Sequence, residues 1–164
     1  MKPLNNIEAK ITTLEPLLKK RKIWEMLNKK VVFTNGCFDL LHKGHVDYLA
    51  KAKACGDILI VGINSDSSIQ KIKGPSRPIA PLDSRALVMA SLHVVDAVIP
   101  FDEETPVRLI KTLLPDVMVK GADYSPEEVI GADVVIENGG RLELIPFVEG
   151  FSTSNLIEKI KKNG

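Results

Sequence analysis

The sequence predicts an α/β protein: a parallel five-stranded sheet with helices on both faces, preceded by a helical extension. Three observations predict it. Short β-branched runs alternate with stretches of helical periodicity from residue 30 onward, the pattern of strands joined by crossover helices. Glycines stand where helices must stop before the next strand, at Gly56 and at Gly139-Gly140. Polar, glycine-bearing segments follow the strands, where such sheets open their ligand crevice.

Residues 5–28 place Ile7, Ile11, Leu14, Leu17, Leu18, Trp24 and Leu27 at spacings that fit one or two short amphipathic helices. Pro16 is the expected boundary, and Lys19-Lys20-Arg21-Lys22 is expected on the wet face. Strands are expected at 31–34, 58–63, 94–99, 117–119 and 142–145, and helices at 46–54, 82–92, 106–113, 126–138 and 154–161. The segment 64–81 reads as loop. Residues 1–29 are thereby set apart as a helical extension, and 30–164 as the main domain.

Composition bounds the function. With 164 residues, 45% hydrophobic and 26% charged, the chain has the make-up of an ordinary globular domain, which excludes collagen-like, disordered and disulfide-framework classes. Lys+Arg of 22 against Asp+Glu of 21 gives no global field of the kind that gathers nucleic acid, so no nucleic-acid partner is expected. The balance is uneven: residues 1–30 carry eight basic and three acidic side chains, a local +5. Cys37 and Cys55 spell no metal site or disulfide framework, and the N-terminus lacks an apolar leader core, so a reducing cytoplasm is the expected compartment. The longest apolar runs fall far short of the ~18–20 residues a membrane span requires, so no membrane association is expected.

The loop after the first strand holds the strongest chemical signal. His42 and His45 stand three apart around Lys43-Gly44 at a helix start, where unpaired N–H groups and partial positive charge favour a phosphate. Gly44 permits close approach. Two histidines without a third ligand make a zinc centre the weaker reading. Lys71, Lys73 and Arg77, among Gly74, Pro75 and Pro78, read as cations on a non-helical loop closing over a phosphate. Arg85, a cation at a helix start, is a weaker candidate of the same kind. Asp39 and Asp66 follow strands one and two and are open to loop-capping, magnesium or sugar roles. Ser152-Thr153-Ser154 reads as an N-cap whose remaining N–H groups can also bind anions. Lys120, Gly121 and Asp123 are expected to shape a nucleotide pocket. Cys37 reads as a small buried residue rather than a nucleophile, and His93 as structural.

The stretch Gly36-Cys37-Phe38-Asp39-Leu40-Leu41-His42-Lys43-Gly44-His45 resembles the GxFDxxHxGH signature of the cytidylyltransferase-like nucleotidyltransferases, and most closely that of the adenylyltransferase domains of ADP-heptose synthases. The resemblance covers residues 30–162, with Thr34-Asn35-Gly36, Asn64-Ser65-Asp66, Lys73 to Pro78, Leu114-Pro115-Asp116, Val119-Lys120-Gly121, Asp123-Tyr124, Asn138-Gly139-Gly140 and Ser152 to Asn155 in the expected order. It implies a Rossmann-like fold and transfer of AMP from ATP, accompanied by Mg²⁺ on the triphosphate, to D-glycero-β-D-manno-heptose 1-phosphate for lipopolysaccharide core synthesis. It implies catalytic roles for His42, His45 and Lys73. Nucleotide contacts would come from Thr34, Asn35, Gly36, Phe38, Gly44, Lys120, Gly121, Asp123, Ser152, Thr153 and Ser154. Acceptor phosphate or sugar contacts would come from Asp39, Asp66, Arg77 and Arg85, and no protein-held metal is implied. A homodimer is implied too. Many relatives carry a ribokinase-like sugar kinase ahead of this domain; 164 residues leave no room for one, so a separate chain is expected to supply it. Glycerol-phosphate cytidylyltransferases carry Arg-Thr-Glu-Gly-Ile before the Ser/Thr run, where this chain has Phe147-Val148-Glu149-Gly150-Phe151, which counts against that activity. Another acceptor or base, as in an FAD-synthetase-like enzyme, and a non-catalytic nucleotide-binding module are the alternatives.

Overall fold

The computed structural model describes residues 3–122, 125–146, 148, 150 and 152–163, with the backbone alone at 126 and 154. Two helices come first, α1 (Pro3–Glu8) and α2 (Leu14–Met26). They are divided at residues 9–13, and Pro16 falls in the first turn of α2, where its missing N–H costs nothing. The α/β run follows: β1 (Val31–Gly36), α3 (Lys43–Lys53), β2 (Ile58–Asn64), α4 (Asp66–Lys73), α5 (Leu82–Ser91), β3 (Ala97–Phe101), α6 (Val107–Leu113), β4 (Val117–Gly121), α7 (Ala132–Glu137), β5 (Arg141–Ile145) and α8 (Thr153–Asn163).

All strand pairs are parallel, in the order β3-β2-β1-β4-β5. β1 is central and buried on both faces, which is why Val31-Val32-Phe33 is a continuous apolar run rather than an alternating one. Val32, Leu59, Val61, Val98 and Val119 face one way, covered by α1, α3 and α5. Val31, Phe33, Ile60, Ile99 and Met118 face the other, covered by α2, α6 and α7. The α/β expectation with helices on both faces therefore holds.

The N-terminal segment is stitched to the sheet edge: Val98 N–H donates to Lys10 O and Thr12 N–H to Val98 O, at 2.8 and 2.9 Å. Leu17 is fully buried against α6. Arg21 departs from the expected wet face, because its guanidinium reaches Asp116 at 3.3 Å and donates to Leu114 O.

The largest departures from the expected element boundaries have identifiable physical causes. β3 begins at Ala97 rather than 94, because Asp96 turns its carboxylate to the Leu59 N–H (2.7 Å) and Val95 drops into the core. The strand runs on through Pro100, tolerated because β3 is an edge. The helix expected at 126–138 is two pieces, a 3₁₀ turn at Pro126–Glu128 and α7, broken at Gly131 with φ 90°. The segment after Asn64 is not all loop. Ser65 caps α4 by accepting the Ser68 N–H, and Ile69 anchors that helix in the interior. Lys71 and Lys73 therefore sit on its last turn, and non-helical backbone begins only at Gly74. The glycine stops after α7 behave as read. Gly139 takes φ 81°, its N–H meets Ile136 O, and Gly140 N–H meets Val135 O, the paired bonds of a Schellman end.

Candidate active site

The chain leaves β1 toward β2 on one side, and β4 and β5 lie on the other. The carboxyl end of β1 is thus the topological switch point where a crevice forms. A cleft of about 410 Å³ opens there. Its floor is Asn35, Gly36, Cys37 and Phe38; α3 contributes His45 and Tyr48, the α4 side contributes Ile72, Lys73 and Arg77, and the far side contributes Lys120, Gly121 and Thr153. Phe38 adopts φ 44°, a left-handed conformation that a bulky residue keeps only where its surroundings enforce it. Here the ring is held under the edge of the His45 imidazole, 5.4 Å between centroids.

His42 is the extended N-cap residue of α3, and its carbonyl accepts the His45 N–H at 2.9 Å. One turn of helix brings the two imidazoles face to face, with centroids 3.9 Å apart at 26°. Burial, then the neighbouring His42 and Lys73, pushes the His45 pKa down to about 4. Burial lowers His42 as well. At neutral pH the pair therefore acts as neutral hydrogen-bonding groups, and the charge comes from Lys73 and the helix terminus. His45 Nδ1 is buried without a hydrogen-bond partner among the described residues, as are Asn35 Oδ1 and Arg77 Nη2. All three belong to residues that line this cleft, so the cleft is where a ligand would satisfy them.

A pH dependence follows from the depressed histidines. A histidine whose folded pKa lies below its ordinary 6.5 favours folding while neutral, so its contribution is complete above about pH 6.5 and is lost as pH falls toward 4. Thermal midpoints are expected to drop between pH 7 and pH 5, and His45→Asn is expected to flatten that drop. An unchanged slope in the variant would refute the assignment. Asp39 titrates below this window, since its pKa is held under the ordinary 3.8.

Four charged residues expected at the acceptor divide into different roles. Asp39 is buried, with its carboxylate accepting Arg77 Nε at 2.6 Å, Ile79 N–H at 2.8 Å and Ala80 N–H at 2.9 Å. Burial alone would raise its pKa, but the Ala80 and Ile79 amides and the Arg77 guanidinium outweigh it. Asp39 thus fastens the α4–α5 connection to the β1 turn. Arg85 has no exposed side-chain surface and does not line the cleft, contrary to the phosphate contact suggested by its place at a helix start. It donates to Ala80 O (2.9 Å), Cys37 O (2.7 Å) and Asp66 Oδ1 (2.6 Å). Asp66 in turn accepts the Leu82 N–H, so it too is a brace in this arrangement. Of the four, Arg77 alone both faces the cleft and has an unpartnered donor.

Among the expected nucleotide contacts, Asn35, Gly36, Phe38, Lys120, Gly121 and Thr153 line the cleft. Thr34 does not: it is fully buried, and its hydroxyl shares a 2.7 Å bond with the Tyr48 hydroxyl, which donates to Val119 O. Period-two alternation along β1 puts Thr34 on the α3 face with Val32, where Tyr48 takes up its hydroxyl. Gly44 is buried within the first turn of α3. Ser152 caps α8, its hydroxyl accepting the Asn155 N–H at 3.0 Å. Asp123 lies outside the described residues, and Ser154 is described by its backbone alone, in α8. Cys37 is half-buried and lines the cleft, more open than the buried position expected of it. The sequence reading missed Tyr48, Asn64, Glu104, Thr105 and the wall at Glu128, Val129 and Ile130. The position of Thr105 just before the helix-starting Pro106 was the available signal for one of them. Among the described residues no three His, Cys, Asp or Glu side chains converge as a metal site, and no helix is long and apolar enough to cross a membrane.

A family model described as cytidylyltransferase-like matches residues 33–158. The chain is 54% identical over 154 residues to the bifunctional protein HldE of Geotalea uraniireducens (strain Rf4), covering 94% of this chain and 31% of that protein. It is 54% identical over 159 residues to the bifunctional protein HldE of Helicobacter pylori (strain J99), covering 97% and 33%. It therefore spans about a third of the length of these curated relatives. Among solved structures, the lipopolysaccharide core biosynthesis protein from Thermoplasma volcanium GSS1 matches with a TM-score of 0.60 and 28% identity, over 73% of this chain and 97% of that one.

Proposed function

Because this chain belongs to the cytidylyltransferase-like family, we propose that it transfers AMP from ATP to D-glycero-β-D-manno-heptose 1-phosphate, releasing pyrophosphate and forming ADP-heptose. The observation that carries the reading is the folded form of the Gly36 to His45 string: a strand, a turn and a helix start that put a stacked, neutral histidine pair at the switch-point cleft. The choice of acceptor is supported by the resemblance to ADP-heptose synthases and by the likeness to HldE proteins and to a lipopolysaccharide core biosynthesis protein.

The acceptor is already an anion, so no strong base is required. An oxygen of the sugar phosphate forms a bond to the α-phosphorus, the bond from that phosphorus to the α,β-bridging oxygen breaks, and the electron pair leaves with pyrophosphate. Catalysis is then alignment and stabilisation of charge on the equatorial and leaving oxygens. His42 and His45 donate hydrogen bonds to the α-phosphate as charge builds there, assisted by N–H groups at the start of α3. Lys73 adds a point charge beside His45. Ser152 and Thr153, at the N-terminus of α8, receive the distal phosphates. Mg²⁺ enters as part of the ATP substrate, held by phosphate oxygens and water, as is usual for this ion.

The test is pyrophosphate release from purified protein supplied with each nucleoside triphosphate, Mg²⁺ and a panel of sugar 1-phosphates and glycerol 3-phosphate. Release is expected with ATP and the heptose 1-phosphate. No release with that pair at any divalent metal would overturn the proposal. Release confined to another pair would reassign acceptor or base, and none with any pair would favour the non-catalytic reading.

A further inference from the structure

We propose that Asp39 is a positioning residue that aims Arg77 at the phosphate of the acceptor substrate rather than at ATP. The inference rests on the transfer reaction proposed above and names the groups that read its second substrate.

The pair is built for orientation. Arg77 spends its Nε on Asp39 at 2.6 Å, and the same carboxylate takes the Ile79 and Ala80 N–H groups, so side chain and backbone of the connection are fixed by one buried anchor. That leaves the terminal nitrogens of the guanidinium. Nη2 is buried, has no acceptor among the described residues, and belongs to a residue lining the cleft. A buried cationic donor without a partner is costly, and an anionic oxygen is the group that completes it. The Arg85–Asp66 brace holds the same connection from behind through Ala80 O and Leu82 N–H, so Arg77 is presented on fixed backbone.

Sidedness separates the two substrates. In-line transfer puts the entering and leaving oxygens on opposite sides of the α-phosphorus, so the anions at either end of the reaction need cationic groups on opposite walls. His45 stands over the central strand β1. Arg77 hangs from the β2 side, whereas Lys120 and the α8 N-terminus hang from β4 and β5. A row of helix N–H groups suits a polyphosphate tail. A guanidinium fork with one edge already fixed suits a phosphate monoester.

The test is steady-state kinetics with each substrate varied in turn, together with calorimetric ATP binding in the absence of acceptor, for Arg77→Gln, Arg77→Lys, Asp39→Asn and the Asp39→Asn/Arg77→Gln double variant. Arg77→Gln is expected to raise the acceptor KM by about tenfold or more, with ATP KM and ATP Kd within about twofold of wild type, and Arg77→Lys to recover part of the loss. Asp39→Asn keeps an acceptor for the two amides. It is expected to shift the acceptor KM in the same direction by less, and to add nothing in the double variant. An unmoved acceptor KM, an ATP Kd that rises with it, or additive effects in the double variant would overturn the proposal. If the wild type turns over no acceptor, the transfer reading fails on its own. Calorimetric binding of the heptose 1-phosphate to protein loaded with a non-hydrolysable ATP analogue then decides. Binding lost in Arg77→Gln supports the assignment, and binding unchanged, or absent from the wild type, refutes it.

Discussion

His45→Ala is expected to lower kcat by ~10²–10³ while leaving the fold intact, the loss that follows removal of one preorganised donor from developing transition-state charge. The size of the effect comes from the neutrality of the ring. Burial first, then the neighbouring His42 and Lys73, holds its pKa at about 4, so it enters the reaction as a neutral hydrogen-bonding group already aimed from the first turn of α3. Its strength grows as negative charge collects on the α-phosphate. His42 stacks on it at 3.9 Å and orients it, so His42→Ala is expected to fall in the same range, with the two losses less than additive. The measurement is pyrophosphate release at saturating substrates, beside thermal midpoints at pH 7. A change of less than a few fold with the fold intact would remove both histidines from the chemistry.

Arg85→Met is expected to be the most damaging change to stability among the residues discussed, costing roughly 3 kcal/mol. It strands two inward-facing carbonyls, Cys37 O and Ala80 O, and strips Asp66 of its partner. Asp66 is itself 41% exposed, so water recovers part of that last loss. For a chain of this length the midpoint is expected to fall by about 10 °C. Arg85→Lys is expected to rescue little, since one ammonium cannot span three acceptors on separate segments. A midpoint within about 2 °C of wild type in the methionine variant would show that the brace is dispensable. Activity is expected to fall too, because Arg85 links the β1 turn to the segment carrying Arg77.

Much of the fold was legible because its signals are local. The apolar runs of β1 and β2 and the Gly139-Gly140 stop each fix one element without help from the rest of the chain. The errors lie where a distant partner decided. Asp96 ends as a clamp on β2 rather than part of a strand, and Pro100 is admitted only because β3 became an edge. α4 carried a local signal, Ser65 as cap with Ile69 and Ile72 at helical spacing. The Lys, Gly and Pro cluster just beyond it concealed the helix.

For the site, sequence by itself determined the strand-turn-helix with its two histidines. The motif is contiguous, and backbone geometry alone places one imidazole a turn from the other. It also determined that cations would gather near Gly74 and that the Ser152-Thr153-Ser154 run would cap a helix, a role the structure gives to Ser152. Only the tertiary structure decided which charges face a ligand. Asp39, Asp66, Arg77 and Arg85 are equivalent as letters, four ionisable residues near strand ends. Arg85 is buried as a brace and Asp39 as an anchor, and Arg77 lines the cleft with one guanidinium nitrogen unpartnered among the described residues. That sorting depends on hydrogen bonds spanning up to 48 residues, and the burial that makes each charge costly or useful exists only once those segments have met.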